Sequence, residues 1–346
     1  MKKRKFIFTW LNRILIIITI VSGLGSLIPA NILRGSGFLA LLFPLLLVPH
    51  GLMLFITIRI APRRIIANII GMALTFIPAM AQFPFAKTIQ TSESPVRVAS
   101  YNVRAFYQGK DAASNIGLWS ATESIDILCA QEVRNPGFEN IKTQFTYTTL
   151  DDNADKFSVG IFSKYPIVQH KQLLFSTLKE EGYPKRSAAY ADILLPWDTI
   201  RFINVHLNST GVKGKDMDVE PYRESIISHG KAIIRKLGKS DYVRGVQSNH
   251  ILDWVKESPH PVVLSGDFNG VPSGYLYLRL LQTLEDPYIW KGTGKMGSFE
   301  PLKRRWLPIR IDWTLHSPEI SSTNQFIDHV PYSDHYPLVT VLSAKE

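Results

Sequence analysis

Apolar residues are arranged along this chain in two different ways, and the change falls near residue 90. Before it they form three long runs, Ile14 to Ala30, Gly37 to Ile58 and Ile65 to Phe83, with almost no charge inside them. Each run matches the ~20 residues that an α-helix needs to cross a bilayer, so the pattern predicts three transmembrane helices. A cleaved export signal would account for "KKRK" and the first run, but not for two further runs of similar length. After residue 95 the apolar runs shorten and end in turn formers: "VRVASYNV", "IDILCAQE", "SVGIFS", "AAYADILL", "IRFINVHL", "PVVLSGDF", "RIDWTL" and "YPLVTVL". Their length and their content of Val, Ile and aromatics predict strands. Between them, "DVEPYRESIISHGKAIIRKL" and "YVRGVQSNHILDWVKES" repeat apolar residues every three or four positions, which predicts helices. Many strands with interspersed helices point to an α/β or α+β sandwich. The polar, proline-ended "AKTIQTSESP" reads as a linker, giving a membrane region over 1–85, a linker over 86–95 and a soluble domain over 96–346.

Charge sharpens this division. Residues 1 to 90 hold ten Lys or Arg and no Asp or Glu, so the rest of the chain carries 29 bases against all 29 acids. The net charge of +10 therefore sits in the first quarter, and the high pI says nothing in favour of nucleic acid. Lys2, Lys3, Arg4, Lys5 and Arg13 flank the first run, Arg34 stands alone between the first and second, and Arg59, Arg63 and Arg64 follow the second. By the positive-inside rule the N-terminus and the second loop are cytoplasmic, and three crossings place the soluble domain outside. The expected location is the cell (inner) membrane, multi-pass. The single Cys129 cannot form a disulfide within the chain and reads as a buried strand cysteine.

The candidate chemistry gathers at strand ends, where a rigid sheet can hold polar groups beside loops. Asn102 closes "SYNVR", and Glu132 ends the apolar "CAQEV", where a carboxylate left without a cation or basic partner would carry a desolvation penalty. In "NVHLNS" the period of two puts His206 and Asn208 on one strand face. In "SGDFN" it puts Asp267 and Asn269 on one side and Phe268 on the other, so that an acceptor and a donor can together grip a water or a phosphate oxygen. Asp312 lies in "RIDWTL", and Asp334 and His335 stand side by side in "YSDHYPLV". Each has an ordinary structural reading alone: a turn asparagine, a core histidine, a capping aspartate. Their conjunction is harder to obtain from packing. The oxygen donors of Glu132, Asp334 and the Asn102 carbonyl suit Mg²⁺ or Mn²⁺ better than zinc.

The ordered set "SYNVR", "CAQEV", "NVHLNS", "SGDFN", "RIDWTL" and "SDHYPLV" resembles the endonuclease/exonuclease/phosphatase superfamily, from about Val96 to the C-terminus. The resemblance implies an α+β fold, a four-layer α/β/β/α sandwich of two packed, mostly antiparallel sheets flanked by helices. The three spans lie outside that family core. It also implies roles: Asn102 and Glu132 hold the divalent metal with Asp334 at or near it. Asp267 and Asn269 orient water and contact phosphate, and His335 acts at the phosphate with Asp312 fixing its ring. His206 matches the histidine of the deoxyribonuclease and sphingomyelinase branches, and Arg186 stands where several members place a phosphate-contacting arginine. With Asn208 beside it, Arg186 is assigned to substrate binding.

The leading expectation is a membrane-anchored, Mg²⁺- or Mn²⁺-dependent phosphoesterase acting on a phosphodiester or phosphomonoester. The ester could belong to a lipid headgroup, a nucleic acid or a small phosphate ester, and no protein partner can be inferred. A nuclease acting on DNA or RNA would want a basic groove, which a neutral domain does not advertise. A non-catalytic membrane binding module would be expected to have lost part of the polar set, and all of it is present. A transporter would need polar pairs inside the spans, where His50 is the sole titratable side chain deep in the second.

Overall fold

The structure, a computed structural model, describes residues 2–81, 94–135, 137–151, 158–175, 187–210, 223–294, 296–300 and 309–345. The chain divides into two compact units that interleave along the sequence. One takes Met1–Phe83, Thr210–Gly245 and Gly270–Arg279; the other takes Pro84–Ser209, Val246–Asn269 and Leu280–Glu346. Most of the linker expected over 86–95 lies outside the described residues, as do Arg186 and most of the loop "STGVKGKDMDVEPY".

The first unit begins with α1 (Lys2–Gly25), α2 (Ser36–Ile60), α3 (Ile65–Leu74) and α4 (Phe76–Met80). Two helices, Phe6–Gly25 and Ser36–Ile60, are long and apolar enough to cross a membrane. The third run does not form the single long helix expected of it, because it breaks at Thr75. Pro78 has no N–H to offer the Leu74 carbonyl, and the Thr75 hydroxyl donates back to the Gly71 carbonyl at 2.9 Å. The side chains of this unit are distributed inside out. In α1 the buried positions Asn12, Ile16, Thr19, Ser22 and Gly23 recur at helical spacing, while Phe6, Trp10, Leu11, Ile14, Ile17 and Val21 are exposed. In α2 the inward seam is Ser36, Ala40, Phe43, His50 and Thr57, and in α3 it is Asn68 and Gly71. Small residues permit close approach: a Cβ on Gly23 would lie 2.6 Å from the Thr75 Cγ2.

The second unit alternates β1 (Val96–Asn102), α5 (Ala112–Thr122), β2 (Ile127–Val133), α6 (Gly137–Lys142), β3 (Tyr147–Thr148), β4 (Ser158–Ser163), β5 (Ile167–Leu174), β6 (Ser187–Leu194) and β7 (Thr199–His206). It continues through the end of α7 (Arg223–Lys256), β8 (Val262–Asp267), the last residue of α8 (Tyr275–Leu280), α9 (Pro287–Lys291), β9 (Gly292–Gly294), β10 (Asp312–His316), β11 (Ile320–Ile327) and β12 (Leu338–Ala344). The two helical stretches read from the sequence around residue 240 are one helix, α7.

The strands form a seven-stranded sheet, β3-β4-β2-β1-β12-β11-β9, and a five-stranded sheet, β10-β8-β7-β6-β5. Most pairings are antiparallel; β1 with β2, β7 with β8 and β9 with β11 are parallel. Alternation of side chains builds the layers. Val96, Val98, Ile127, Cys129 and Ile161 of the first sheet meet Ala189, Ala191, Ile200, Phe202 and Val263 of the second. From the other face of the first sheet, Tyr101, Leu128, Ala130 and Phe162 pack on Ile116, Trp119, Phe138 and Ile141 of α5 and α6. On the far side of the second sheet Trp254 of α7 stands edge-on to Tyr190, with ring centroids 5.0 Å apart. The expected four-layer α/β/β/α order is thus present.

Gly266 makes one of the closest approaches. It adopts φ +145°, and a Cβ there would lie 2.1 Å from the Val205 carbonyl oxygen on the neighbouring β7. Only a residue without a side chain fits between these strands. Gly266→Ala should therefore lower stability by about 3 kcal/mol, read as a fall in the urea midpoint of unfolding. An unchanged midpoint would show that the strands separate without cost.

Candidate active site

The strand ends converge on one polar cluster between the two sheets. On β1 the even-numbered side chains face the second sheet, so Val96 and Val98 lie in the inter-sheet core and Asn102 follows them on that face at the strand's end. On the five-stranded sheet, register does the positioning. Asp312 on β10 is paired with Asp267 on β8, and Asp267 with His206 on β7, so three titratable residues stand in a row across adjacent strands. Phe268 turns away as expected and stacks on Trp313 at 4.4 Å.

Glu132 reaches the cluster by a different route. Regular alternation would send it with Leu128 and Ala130 to the α5 and α6 side. Instead the β2–β4 ladder shifts register between Ala130 and Val133, and Glu132 adopts φ 56°. Its Oε1 lies 3.5 Å from the Asn102 Nδ2 and 3.6 Å from the His206 Nε2. Asn269 has a similar left-handed backbone, φ 50°, as do Arg104, Ala105 and Phe106 directly after β1. Strained backbone of this kind is held only where surrounding contacts fix it.

Asp267 is the hub. Its Oδ2 accepts a hydrogen bond from the Asn102 Nδ2 at 3.0 Å and lies 3.6 Å from the His206 Nε2 and 3.8 Å from the His335 Nε2. Its Oδ1 accepts from the Asn269 N–H at 2.9 Å, while the Asn269 side-chain amide donates to the Leu207 carbonyl. His335 places Nδ1 3.0 Å from the Asp312 Oδ2. Burial pushes the Asp267 carboxyl up to about 7; the Asp312 charge adds to this, and His335 and the bonds from Asn102 and Asn269 oppose it. Burial alone would lower His335, but the carboxylates of Asp312 and Asp267 outweigh it and bring the imidazole up to about 10.

Asp334 lies at the rim. Its Oδ2 is 3.3 Å from the Arg104 Nε, and its side chain is 31% exposed, against 23% for Glu132 and 2% for Asp267. Ser333 donates to the Asn102 carbonyl at 2.7 Å, tying the loop before β12 to the end of β1. The Asn208 N–H donates to the Gln247 side chain and its amide to the Ser209 carbonyl. Arg104, Ser333 and the buried pair Gln131–Asn204, with Gln131 Nε2 donating to Asn204 Oδ1 at 2.7 Å, went unassigned in the sequence. Arg104, Gln131 and Ser333 lie inside or beside the quoted motifs, and a motif does not say which of its polar members turns inward.

Among the described residues one group of titratable side chains could take a cation. Asp267, Asp312 and His335 can bring ligand atoms within 4.8 Å of one another. The Asp312–His335 hydrogen bond, however, gives those two groups another use. Of the expected set of Glu132, Asn102 and Asp334, the Asn102 Oδ1 accepts from the Arg104 N–H and its Nδ2 faces Glu132, which leaves the half-exposed carboxylates of Glu132 and Asp334 as its open oxygen donors.

No family model and no curated protein sequence matches the chain. Solved structures do. An endonuclease/exonuclease/phosphatase from Bacteroides vulgatus aligns at TM-score 0.53 and 18% identity, over 73% of this chain and 100% of its own. A mannosyl-6-phosphatase of Bacteroides thetaiotaomicron aligns at TM-score 0.53 and 15% identity, over 72% and 99%. D. rerio TDP2, complexed with a single-strand DNA product, aligns at TM-score 0.55 and 14% identity, over 73% and 100%. The chain shares the fold of these proteins.

The Asp312–His335 pair yields a prediction with a defined sign. Asp312 raises His335, so Asp312→Asn should move the imidazole to lower pKa, seen by NMR titration of its ring protons. An unmoved titration would mean that Asp312 does not set the charge of His335.

Proposed function

We propose that this protein is a membrane-anchored, divalent-metal-dependent phosphoesterase. The observation that carries the reading is the single cluster in which Glu132, Asn102, Asp267 and His206 meet the Asp312–His335 pair. When bound by Glu132, Asn102 and Asp334, the metal would neutralise charge on the phosphoryl oxygens. The chain supplies the rest. Asp267, with Asn269 fixing its second oxygen, orients the attacking water. His335, held by Asp312 and charged near neutral pH, stabilises the phosphoryl group and can protonate the leaving oxygen. His206, whose Nε2 lies 3.6 Å from both the Glu132 and Asp267 carboxylates, is assigned a catalytic role beside them. Arg186 and Asn208 are assigned to phosphate contact on the sequence resemblance alone.

The fold does not choose the ester, since a sugar-phosphate phosphatase and a protein with a bound DNA product share it. Membrane anchoring favours a lipid headgroup or another ester met at a membrane surface. The anchoring itself is supported by more than helix length. A water-soluble bundle buries apolar faces, whereas α1 and α2 bury Asn12, Thr19, Ser22, His50 and Thr57 and expose Ile, Leu and Phe.

The direction of insertion is supported by the turn between α1 and α2. Ser26 donates to the Ser273 carbonyl and Ser273 to the Ala40 carbonyl, each at 2.7 Å. Ser36 donates to Asp241 at 3.0 Å. That turn therefore lies with the segment that follows Asn269 in the chain, at the end of the helices opposite the basic N-terminus. The broken helix pair α3–α4 would then supply the return crossing, placing the N-terminus in the cytoplasm and the catalytic domain outside.

The full-length protein in detergent should hydrolyse bis-p-nitrophenyl phosphate with Mg²⁺ or Mn²⁺ and lose turnover to a chelator. Glu132→Ala and His335→Ala should each lower kcat by about 10²–10⁴-fold with circular dichroism unchanged. Failure on diesters, monoesters, DNA and lipid headgroups alike would sink the enzyme reading. An alkaline phosphatase reporter fused after Glu346 should be active if the domain is exported. A well-expressed but silent fusion would reverse the topology.

A further inference from the structure

The helical unit contains a cavity of about 550 Å³ lined by Phe6, Thr9, Trp10, Arg13 and the segment Ile60–Arg64. None of these residues belongs to the candidate active site. Phe6, Thr9, Trp10 and Arg13 share one face of α1 by three- and four-residue spacing. Opposite them, Pro62 starts a tight turn over Pro62–Arg64 that ends α2 and presents Arg63 and Arg64. Arg64 is fixed there by a hydrogen bond from its guanidinium to the Thr9 hydroxyl, and the Arg13 guanidinium lies 5.5 Å over the Trp10 ring.

Three guanidinia therefore line one small cavity in a stretch of chain that contains no acid before Glu93. Among the described residues no acid neutralises Arg13, Arg63 or Arg64, so the cavity suits an anion supplied from outside the chain. Forked guanidinium donors match the oxygens of a phosphate. The cavity's remaining walls are apolar and run on into exposed apolar surface: Phe6, Trp10 and Ile60 are 63%, 49% and 41% exposed, and Ile7, Leu11 and Ile14 continue the same helix. A free anion would use the arginines and leave this rim in water. A phospholipid uses both, with its phosphate on the arginines, its glycerol at Trp10 and its acyl chains along α1.

We propose that this cavity binds the headgroup of an anionic phospholipid, such as phosphatidylglycerol, in the leaflet that holds the N-terminus. The inference rests on the membrane reading above. The site fixes α1 against the α2–α3 turn, so that the lipid joins two helices whose basic ends would otherwise repel each other.

The test uses the full-length protein in neutral detergent, titrated with phosphatidylglycerol or with phosphatidylcholine of the same acyl chains, the bound lipid being counted by native mass spectrometry. Wild type should retain phosphatidylglycerol over phosphatidylcholine by roughly tenfold or more, from about a factor of five per arginine at the surface. The triple variant Arg13→Gln, Arg63→Gln, Arg64→Gln should lose that preference, and the triple lysine variant should keep part of it. Hydrolysis of bis-p-nitrophenyl phosphate by either variant reports that the protein is folded. Should the glutamine variant keep the wild-type preference, the cavity is not the site. Displacement of the lipid by equimolar inorganic phosphate would make it a free-anion site and overturn the lipid assignment. Recovery of the detergent-free chain in the soluble fraction would sink the membrane reading instead, a result separate from lipid selectivity.

Discussion

Two buried carboxylates, Asp267 and Asp312, stand directly opposite each other across β8 and β10, and the architecture of the site follows from keeping them there. Like charges in cross-strand register repel, and burial removes the water that would screen them. The compensation comes from every side. Asn102 and the Asn269 N–H donate to Asp267, His335 takes Asp312 on one ring nitrogen and faces Asp267 with the other, and His206 approaches Asp267 from the neighbouring strand. Those partners sit on β1, β7 and the loops after β8 and before β12, so satisfying one pair of acids requires both sheets to be closed in a single register. His335, which these acidic neighbours raise, is thereby held between Asp312 and Asp267.

The same closure explains why the strained residues fall where they do. Between the sheets the core is apolar up to Val98 and Phe202, then changes to the Gln131–Asn204 bond before reaching Asn102 and His206. Asn204 donates in turn to the Ala130 and Gly160 carbonyls. Those bonds occupy β2 and β4 next to the register shift that frees Glu132 to turn inward. A regular β2 would keep Glu132 on the helix-packed face, where its charge would have no partner. The left-handed backbone at Glu132 is thus the local expense of delivering a carboxylate to a cluster that the pleat alone would not reach.

Strand positions, the four-layer order and the convergence of Asn102, Glu132, His206, Asp267, Asp312 and His335 were legible because each motif couples an apolar strand to a polar terminus. Period-two reasoning carried as far as Asp267, where β8 ends, and Phe268 beyond it still turns away onto Trp313. It could not see Glu132, because a bulge leaves no mark in composition. Arg104 and Ser333 were overlooked for another reason: one is on a left-handed turn and the other in a loop, and only tertiary contact gives them a direction. In the helical unit, hydropathy located the first two helices. It could not foresee the break at Thr75, since Pro44 and Pro49 lack the same donor and leave α2 continuous.

On the membrane placement proposed above, the inside-out helices and the polar cluster answer the same physical demand in different solvents. In the sandwich, polar groups are buried only where other polar groups meet them, and the apolar core surrounds the exception. In α1, α2 and α3 the polar and small residues form the seam, because in a hydrocarbon surrounding Ile and Leu gain nothing by turning inward and Asn or Thr lose their hydrogen bonds by turning outward. That logic fails at the basic end of the bundle, where Arg13, Arg63 and Arg64 are too polar for lipid tails and, among the described residues, have no acid to pair with. Guanidinia in such a place are stable at the level of phosphate headgroups. On the proposed placement, those three side chains would mark the depth of the helices in the membrane.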